Sequence, residues 1–284
     1  MGRMKNFSEE IEKKAIYNYV ELHMGLQTAG KEFGISQFLM ERILKKYGIK
    51  KRTYTEAKQI GRKYNCDDNY FKNQNSSMAY ILGLIASDGS IGKKENLIAI
   101  QLQEEDRKIL EQIKVKTKVE RPLEEYTRVG TGHRIISFRN WSAEWKKDLK
   151  HYGIVPQKTF TLQPPFFLNK QFAIDYIRGY FDGDGSIYKI DNQNRVFFEI
   201  IGASKITINW MRDILINQYH ILLNSEQKET LMNGTIIYKI KIGDKKELLK
   251  LYHLLYDDKT LYIERKKEKF ENLLNIPRDF NSSN

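Results

Sequence analysis

The 284-residue sequence holds a single cysteine, Cys66, so a monomer can form neither an internal disulfide framework nor a cysteine-built zinc cluster. No apolar run approaches the roughly 18 residues that a membrane-crossing helix needs. The opening MGRMKNFSEEIEKK lacks the apolar stretch of a secretion signal, and Lys5-Asn6 does not complete a myristoylation pattern after Met1-Gly2. Acidic residues are in deficit, with 36 Asp plus Glu against 48 Lys plus Arg and a formal net charge of +12. That surplus favours polyanionic partners, nucleic acid foremost, and steers association with them. What is present in quantity is apolar and aromatic material: 40% hydrophobic residues, 17 Tyr and 14 Phe, enough for ordinary cores and against global disorder.

The first 64 residues read as a small helical domain. Ser8 can cap a helix over 8–24, with Ile11, Ala15, Tyr19 and Leu22 returning on one face. A second short helix carries Ala29 and Phe33, Gly34 breaks it, Ile35 plugs the turn, and Ser36 caps a helix bearing Leu39, Ile43 and Leu44. This is the helix-turn-helix pattern. Its second helix would present Gln37 and Arg42 to base edges and Lys45 and Lys46 to phosphates. A third helix is expected around Tyr54–Tyr64, then an Asn- and Asp-rich linker over 65–76.

The remaining chain contains a duplication. Residues 80–91 read YILGLIASDGSI and residues 176–187 read YIRGYFDGDGSI, so Tyr, Ile, Gly, Asp, Gly, Ser and Ile recur at matching places. Each copy opens a comparable series of helix, strand pair, helix, strand pair and helix, over 77–165 and 166–276, with a flexible tail at 277–284.

Gly83 and Gly179 lie inside apolar helices, where glycine costs about 1 kcal/mol relative to alanine. A close approach of two backbones justifies them, because a Cβ would hold the helices apart. Ala86 and Gly183 are also small. Crossing helices would bring their C-terminal ends together, and Asp88 and Asp184 stand at those ends. Each carboxylate opposes its helix dipole and repels the other, and divalent cations reverse both penalties. Oxygen ligands suit Mg²⁺, which polarises a phosphate and orients water.

The motifs ILGLIASDG (81–89) and IRGYFDGDG (177–185), and the run Leu255–Leu274, resemble those of single-chain LAGLIDADG homing endonucleases. The resemblance covers roughly residues 77–276 and implies an α+β fold: a pseudo-twofold, duplicated α-β-β-α-β-β-α arrangement with two curved antiparallel sheets, joined to the small all-helical N-terminal domain. It implies a monomer that cuts one phosphodiester in each strand of double-stranded DNA, across the minor groove, at a long and mostly non-palindromic target. Asp88 and Asp184 would hold the metal, with main-chain carbonyls such as those of Ala86 and Gly183. Mg²⁺ is the expected ion, Mn²⁺ a substitute, and Ca²⁺ an ion that binds without supporting cleavage. The first motif departs from the family pattern in having Ala86 where the second has Asp182, and Ser87 where alanine is common.

The family's lysine after the last helix of each repeat maps by position onto Lys158, and onto Lys266 or its neighbours Arg265 and Lys267. The sheets would lie along the major groove, with Lys93, Gln101, Gln103, Arg128 and Arg134 outward in the first half. Lys189, Asn192, Gln193, Arg195, Lys239 and Lys241 would do the same in the second. Trp141, Trp145 and Trp210 read as helical core residues. The alternative is a DNA-binding regulator, or an intron-binding RNA maturase, that does not cut. Either reading places the protein in the cytoplasm or on the nucleoid, encoded by a phage or an organelle.

Overall fold

The computed structural model describes residues 7–53, 56, 63–190, 195–225 and 227–277. The expected third N-terminal helix, the expected tail, and Asn192 and Gln193 lie wholly or largely outside them. The chain divides into two compact units, residues 1–65 and 66–284.

The first unit contains α1 (Glu9–Val20), α2 (Leu26–Lys31) and α3 (Gln37–Lys46). Ser8 and Ser36 cap α1 and α3 by accepting hydrogen bonds from Ile11 N and Leu39 N. Gly34 turns the chain at φ +66°, and Ile35 is buried among Ala15, Tyr19, Ala29, Met40, Ile43 and Leu44. Helix α1 ends four residues earlier than its apolar spacing suggests, and Leu22 is exposed because His23 adopts φ 55° beyond the last turn. Arg52 folds back over the Tyr19 ring and donates to Met24 O at 2.8 Å. A core this small leaves little reserve. Ile35→Ala should cost the first unit about 2–4 kcal/mol, read as loss of a low-temperature calorimetric transition while the larger unit's transition stays in place.

The second unit has two comparable halves. The first half runs α4 (Ser76–Ser87), β1 (Gly89–Ile91), β2 (Leu97–Gln103), α5 (Arg107–Lys116), β3 (Glu124–Thr127), β4 (Arg134–Trp141) and α6 (Ala143–His151). The second runs α7 (Ala173–Asp184), β5 (Gly185–Ile190), β6 (Arg195–Gly202), α8 (Lys205–Asp213), β7 (Gln227–Thr230), β8 (Ile236–Ile242) and α9 (Lys245–Tyr256), and adds α10 (Glu264–Leu274). Each half forms a four-stranded antiparallel sheet, ordered β1-β2-β4-β3 and β5-β6-β8-β7. The fold is therefore α+β, with two antiparallel sheets and their helices.

One face of each sheet feeds the core: Ile98, Ile100, Leu102, Ile136 and Phe138 in the first, Ile187, Phe198, Ile200, Ile240 and Ile242 in the second. Helix α4 is apolar on all sides because it is buried on all sides; every residue from Met78 to Ala86 is buried. Residues 66–72, read from composition as linker, are instead packed. Phe71 is fully buried edge-on to Trp145, and Trp145 Nε1 donates to Asp67 O at 2.8 Å. Polar neighbours in the sequence conceal these aromatic anchors. Trp141 is also a correction: it ends strand β4, is 38% exposed, and lies under Arg121 at 4.6 Å.

Candidate functional site

Helices α4 and α7 cross at their glycines. A Cβ on Gly83 would fall 2.0 Å from Tyr176 O, and one on Gly179 would fall 2.0 Å from Tyr80 O. The two clashes are mirror images, since Tyr80 and Tyr176 are equivalent positions of the repeat. Backbone rests on backbone here, and the C-terminal ends of both helices are drawn to one place.

Asp88 caps the end of α4 and Asp184 is the last residue of α7. A Cβ on Gly183, next to Asp184, would stand 3.0 Å from Asp88 Oδ2. Both aspartates are open to solvent, yet protein surrounds them closely enough to disfavour charge. Burial raises the Asp184 carboxyl to about 6; the Asp88 charge pushes the same way, and Lys158 and Lys266 oppose it. The Asp88 carboxyl is raised by burial and pulled back by Lys266, Lys158 and Arg265.

Two lysines complete the arrangement with matching geometry. Lys158 donates to Ser87 O at 3.0 Å and also to Gly89 O. Lys266 donates to Phe181 O at 2.7 Å, Gly183 O at 3.2 Å and Gly185 O at 2.7 Å. Ser87 and Gly89 occupy the same repeat positions as Gly183 and Gly185, so each helix end receives one ammonium group. A cation at a helix C-terminus opposes the partial negative charge there. Lys266 is buried, which lowers it to about 8, with Asp182, Asp88 and Asp184 opposing. Burial likewise lowers Lys158, against Asp184 and Asp88. The neighbours of Lys266 point elsewhere: Arg265 binds Asp106, and Lys267 lies 3.7 Å from Glu271.

The repeat also shows which main-chain carbonyls are equivalent. Ala86 matches Asp182, so the counterpart of the Gly183 carbonyl is that of Ser87 rather than that of Ala86. Asp182 is buried and raised to about 6 by that burial; it accepts from Tyr80 Oη at 2.7 Å and Ile263 N at 2.8 Å. Arg178, also buried, joins Asp175 at 2.7 Å and donates to Leu261 O at 2.9 Å, fixing the path from α9 to α10. Sequence spacing gave no sign of this role, because charged residues inside an apolar helix read as surface.

Strand register sorts the expected sheet contacts. Gln101 and Gln103 face away from the helices and are exposed, and Arg128 follows in the β3–β4 turn. Lys93 is exposed in the β1–β2 turn. Arg134 pairs with Thr127, two residues from Ile136, so it has helix-side parity and meets Glu125 at 3.3 Å. In the second sheet Arg195, Lys239 and Lys241 share the face away from the helices, with Glu199 opposite Lys241. Lys189 is opposite Val196, takes the helix side, and lies by Asn272 and Leu273 of α10. Alternation from Ile187 and Phe198 would have separated these two faces. Register also adds Glu124, Tyr126, Arg139, Tyr188 and Glu199 to the outward faces.

On the first unit Gln37, Arg42 and Lys45 are exposed along α3. Lys46 is bound to Glu12 at 2.6 Å, which ties α3 to α1. Phe38, unremarked in the sequence, is 69% exposed beside Gln37. His151 stacks on Phe167 and His253 meets Asp257, both in structural pairs.

No protein-family model matches the chain. Over 135 residues it is 28% identical to the uncharacterized protein MJ0314 of Methanocaldococcus jannaschii, covering 44% of this chain and 47% of that protein. The chain thus spans about half the length of the curated relative it matches. It is similar to the solved full-length DUF199/WhiA from Thermatoga maritima, with TM-score 0.47 and 17% identity over 76% of this chain and 67% of that one. It is also similar to the N-terminal LAGLIDADG domain of DUF199/WhiA (TM-score 0.43, 17% identity, 72% and 94% covered). The LAGLIDADG meganuclease I-AabMI bound to uncleaved DNA is similar at TM-score 0.45 and 13% identity, with 72% and 90% covered. The duplicated elements and the paired motif helices are features internal to this chain. No helix among the described residues is long and apolar enough to cross a membrane.

Proposed function

We propose that the chain is a site-specific endonuclease that hydrolyses one phosphodiester in each strand of double-stranded DNA. The observation that carries this reading is the meeting of Asp88 and Asp184 at two glycine-crossed helix ends, each end holding its own lysine. One acid and one ammonium group, present in duplicate, suit a substrate with two equivalent bonds. The positive surplus of the chain suits its charge.

The donors present also fit a hard divalent cation. Asp88, Asp184 and the neighbouring Ser87 and Gly183 carbonyls offer only oxygen, and no cluster of three or more His, Cys, Asp or Glu forms a closed cage among the described residues. Mg²⁺ accepts such a partial set, keeping waters and taking phosphate oxygens. When bound, it supplies positive charge to the scissile phosphate and lowers the cost of deprotonating water. The chain's own groups bring the two acids to one place, partly surround them with protein, and keep Lys158 and Lys266 near them. Gln101, Gln103, Arg195, Lys239 and Lys241, on the faces away from the helices, would read groove edges or phosphates, and Gln37, Arg42 and Lys45 of α3 would add contacts of their own.

Selection from a randomised duplex library tests the reading. With Mg²⁺ the purified protein should release one family of linear products from cut sites, and with Ca²⁺ it should retain the same sequences uncut. Retention of duplex without cutting in Mg²⁺ and Mn²⁺ would make it a DNA-binding regulator, and selective retention of structured RNA a maturase.

A further inference from the structure

The lysine-bearing segments are held from the opposite half, and they are held unequally. Asp106 and Ser204 are equivalent positions, the residues that precede α5 and α8. Ser204 Oγ donates to Leu162 O at 2.6 Å and Thr207 Oγ1 donates to it at 2.9 Å, while Leu162 N donates to Lys158 O at 2.8 Å. The Lys158 loop, in the first half, is thus latched by neutral hydroxyls of the second.

The reverse latch is ionic. Arg265 Nε donates to Asp106 Oδ1 at 2.9 Å and Arg265 Nη2 to Oδ2 at 2.8 Å, a two-pronged pair on a carboxylate that is only 2% exposed. Arg265 immediately precedes Lys266 in the first turn of α10. A second tie reaches the same turn: Tyr80 of the first half donates to Asp182, which accepts from Ile263 N where α10 begins. Ala86 replaces Asp182 in the first half, so the Lys158 loop has no equivalent of this tie.

We propose that Asp106 and Tyr80 are positioning residues that act across the two halves. Through Arg265 and Asp182 they fix the start of α10, and with it Lys266, so that the bond cut beside Asp184 depends on contacts supplied by the other half. The inference rests on the nuclease reading for its catalytic consequence but not for its structural one. Charge-assisted pairs are the stronger hydrogen bonds, so the Lys266 side depends more on its latch than the Lys158 side does on its hydroxyls.

The test uses the full chain and its Asp106→Asn, Tyr80→Phe and Ser204→Ala variants, with folding checked by circular dichroism and melting. Acetylation by acetic anhydride, followed peptide by peptide, should rise about tenfold at Lys266 in Asp106→Asn and Tyr80→Phe and stay level at Lys158. Ser204→Ala should show the opposite preference. Equal changes at both lysines, or none at either, in folded variants would overturn the proposal. On a plasmid carrying a selected target, Asp106→Asn should accumulate circles nicked in one defined strand; equal slowing of both strands would also overturn it. A wild-type protein that cuts nothing removes the nuclease reading and leaves the acetylation pattern to decide the positioning.

Discussion

Alanine at Gly179 should destabilise the second unit by about 3 kcal/mol or more and abolish any activity that needs the two helix ends aligned. The added carbon would sit 2.0 Å from Tyr80 O and 2.9 Å from both Tyr80 C and Leu84 N. None of these atoms belongs to a side chain, so no rotamer change relieves the overlap. The helices must separate, and separation strips contacts from the apolar residues around them. Gly83→Ala should behave the same way, because its carbon would meet Tyr176 O at 2.0 Å and Tyr180 N at 2.9 Å. Denaturant titration followed by tryptophan fluorescence measures the loss. A denaturant midpoint unchanged from wild type in either variant would refute the close crossing.

The second large effect concerns the acids. Asp88→Asn or Asp184→Asn should lower double-strand cleavage about a thousandfold, as loss of a principal charge-stabilising group does. Supercoiled plasmid converted to linear form, followed over time, gives the number. The same variants should be slightly more stable than wild type without metal. Asp184 is raised to about 6 in the folded protein, above an unfolded value of about 3.9. The folded state therefore holds its proton more tightly, and the penalty grows as pH rises from about 4 to 6 and is fully present above that. Asparagine removes it. With both acids open to solvent, screening limits the gain to about 1 kcal/mol or less at pH 7.5, vanishing near pH 4. Mg²⁺ should narrow the difference by stabilising wild type alone, and its binding should weaken as pH falls through 6.

Much of this was legible in the residues themselves. The repeated Tyr-Ile-x-Gly and Asp-Gly-Ser-Ile announce a duplication, and a glycine amid helical apolar residues needs a reason that close crossing supplies. Ser8 and Ser36 mark helix starts through local chemistry, which sequence carries directly. Long-range pairs are a different matter. The two-pronged contact of Arg265 with Asp106 joins residues far apart in the chain, and nothing in either neighbourhood foretells the other. The helix-side placement of Lys189 and Arg134 is not legible from their charge, because strand register sets direction; both lie near strand ends, where the helix-side face runs out into solvent. The packed stretch around Phe71 was hidden by its Asn and Asp neighbours, which turn the chain while the aromatic rings anchor it.

A joint made of main chain has an evolutionary corollary. Where Gly83 and Gly179 meet Tyr176 and Tyr80, the fit depends on peptide atoms that substitution elsewhere leaves untouched. The outer strands are thus free to diverge independently while the seam stays constant. Grafting one half onto a half from a relative then requires the same glycines at the crossing together with the latches between the halves, Arg265 with Asp106 and Ser204 with Leu162.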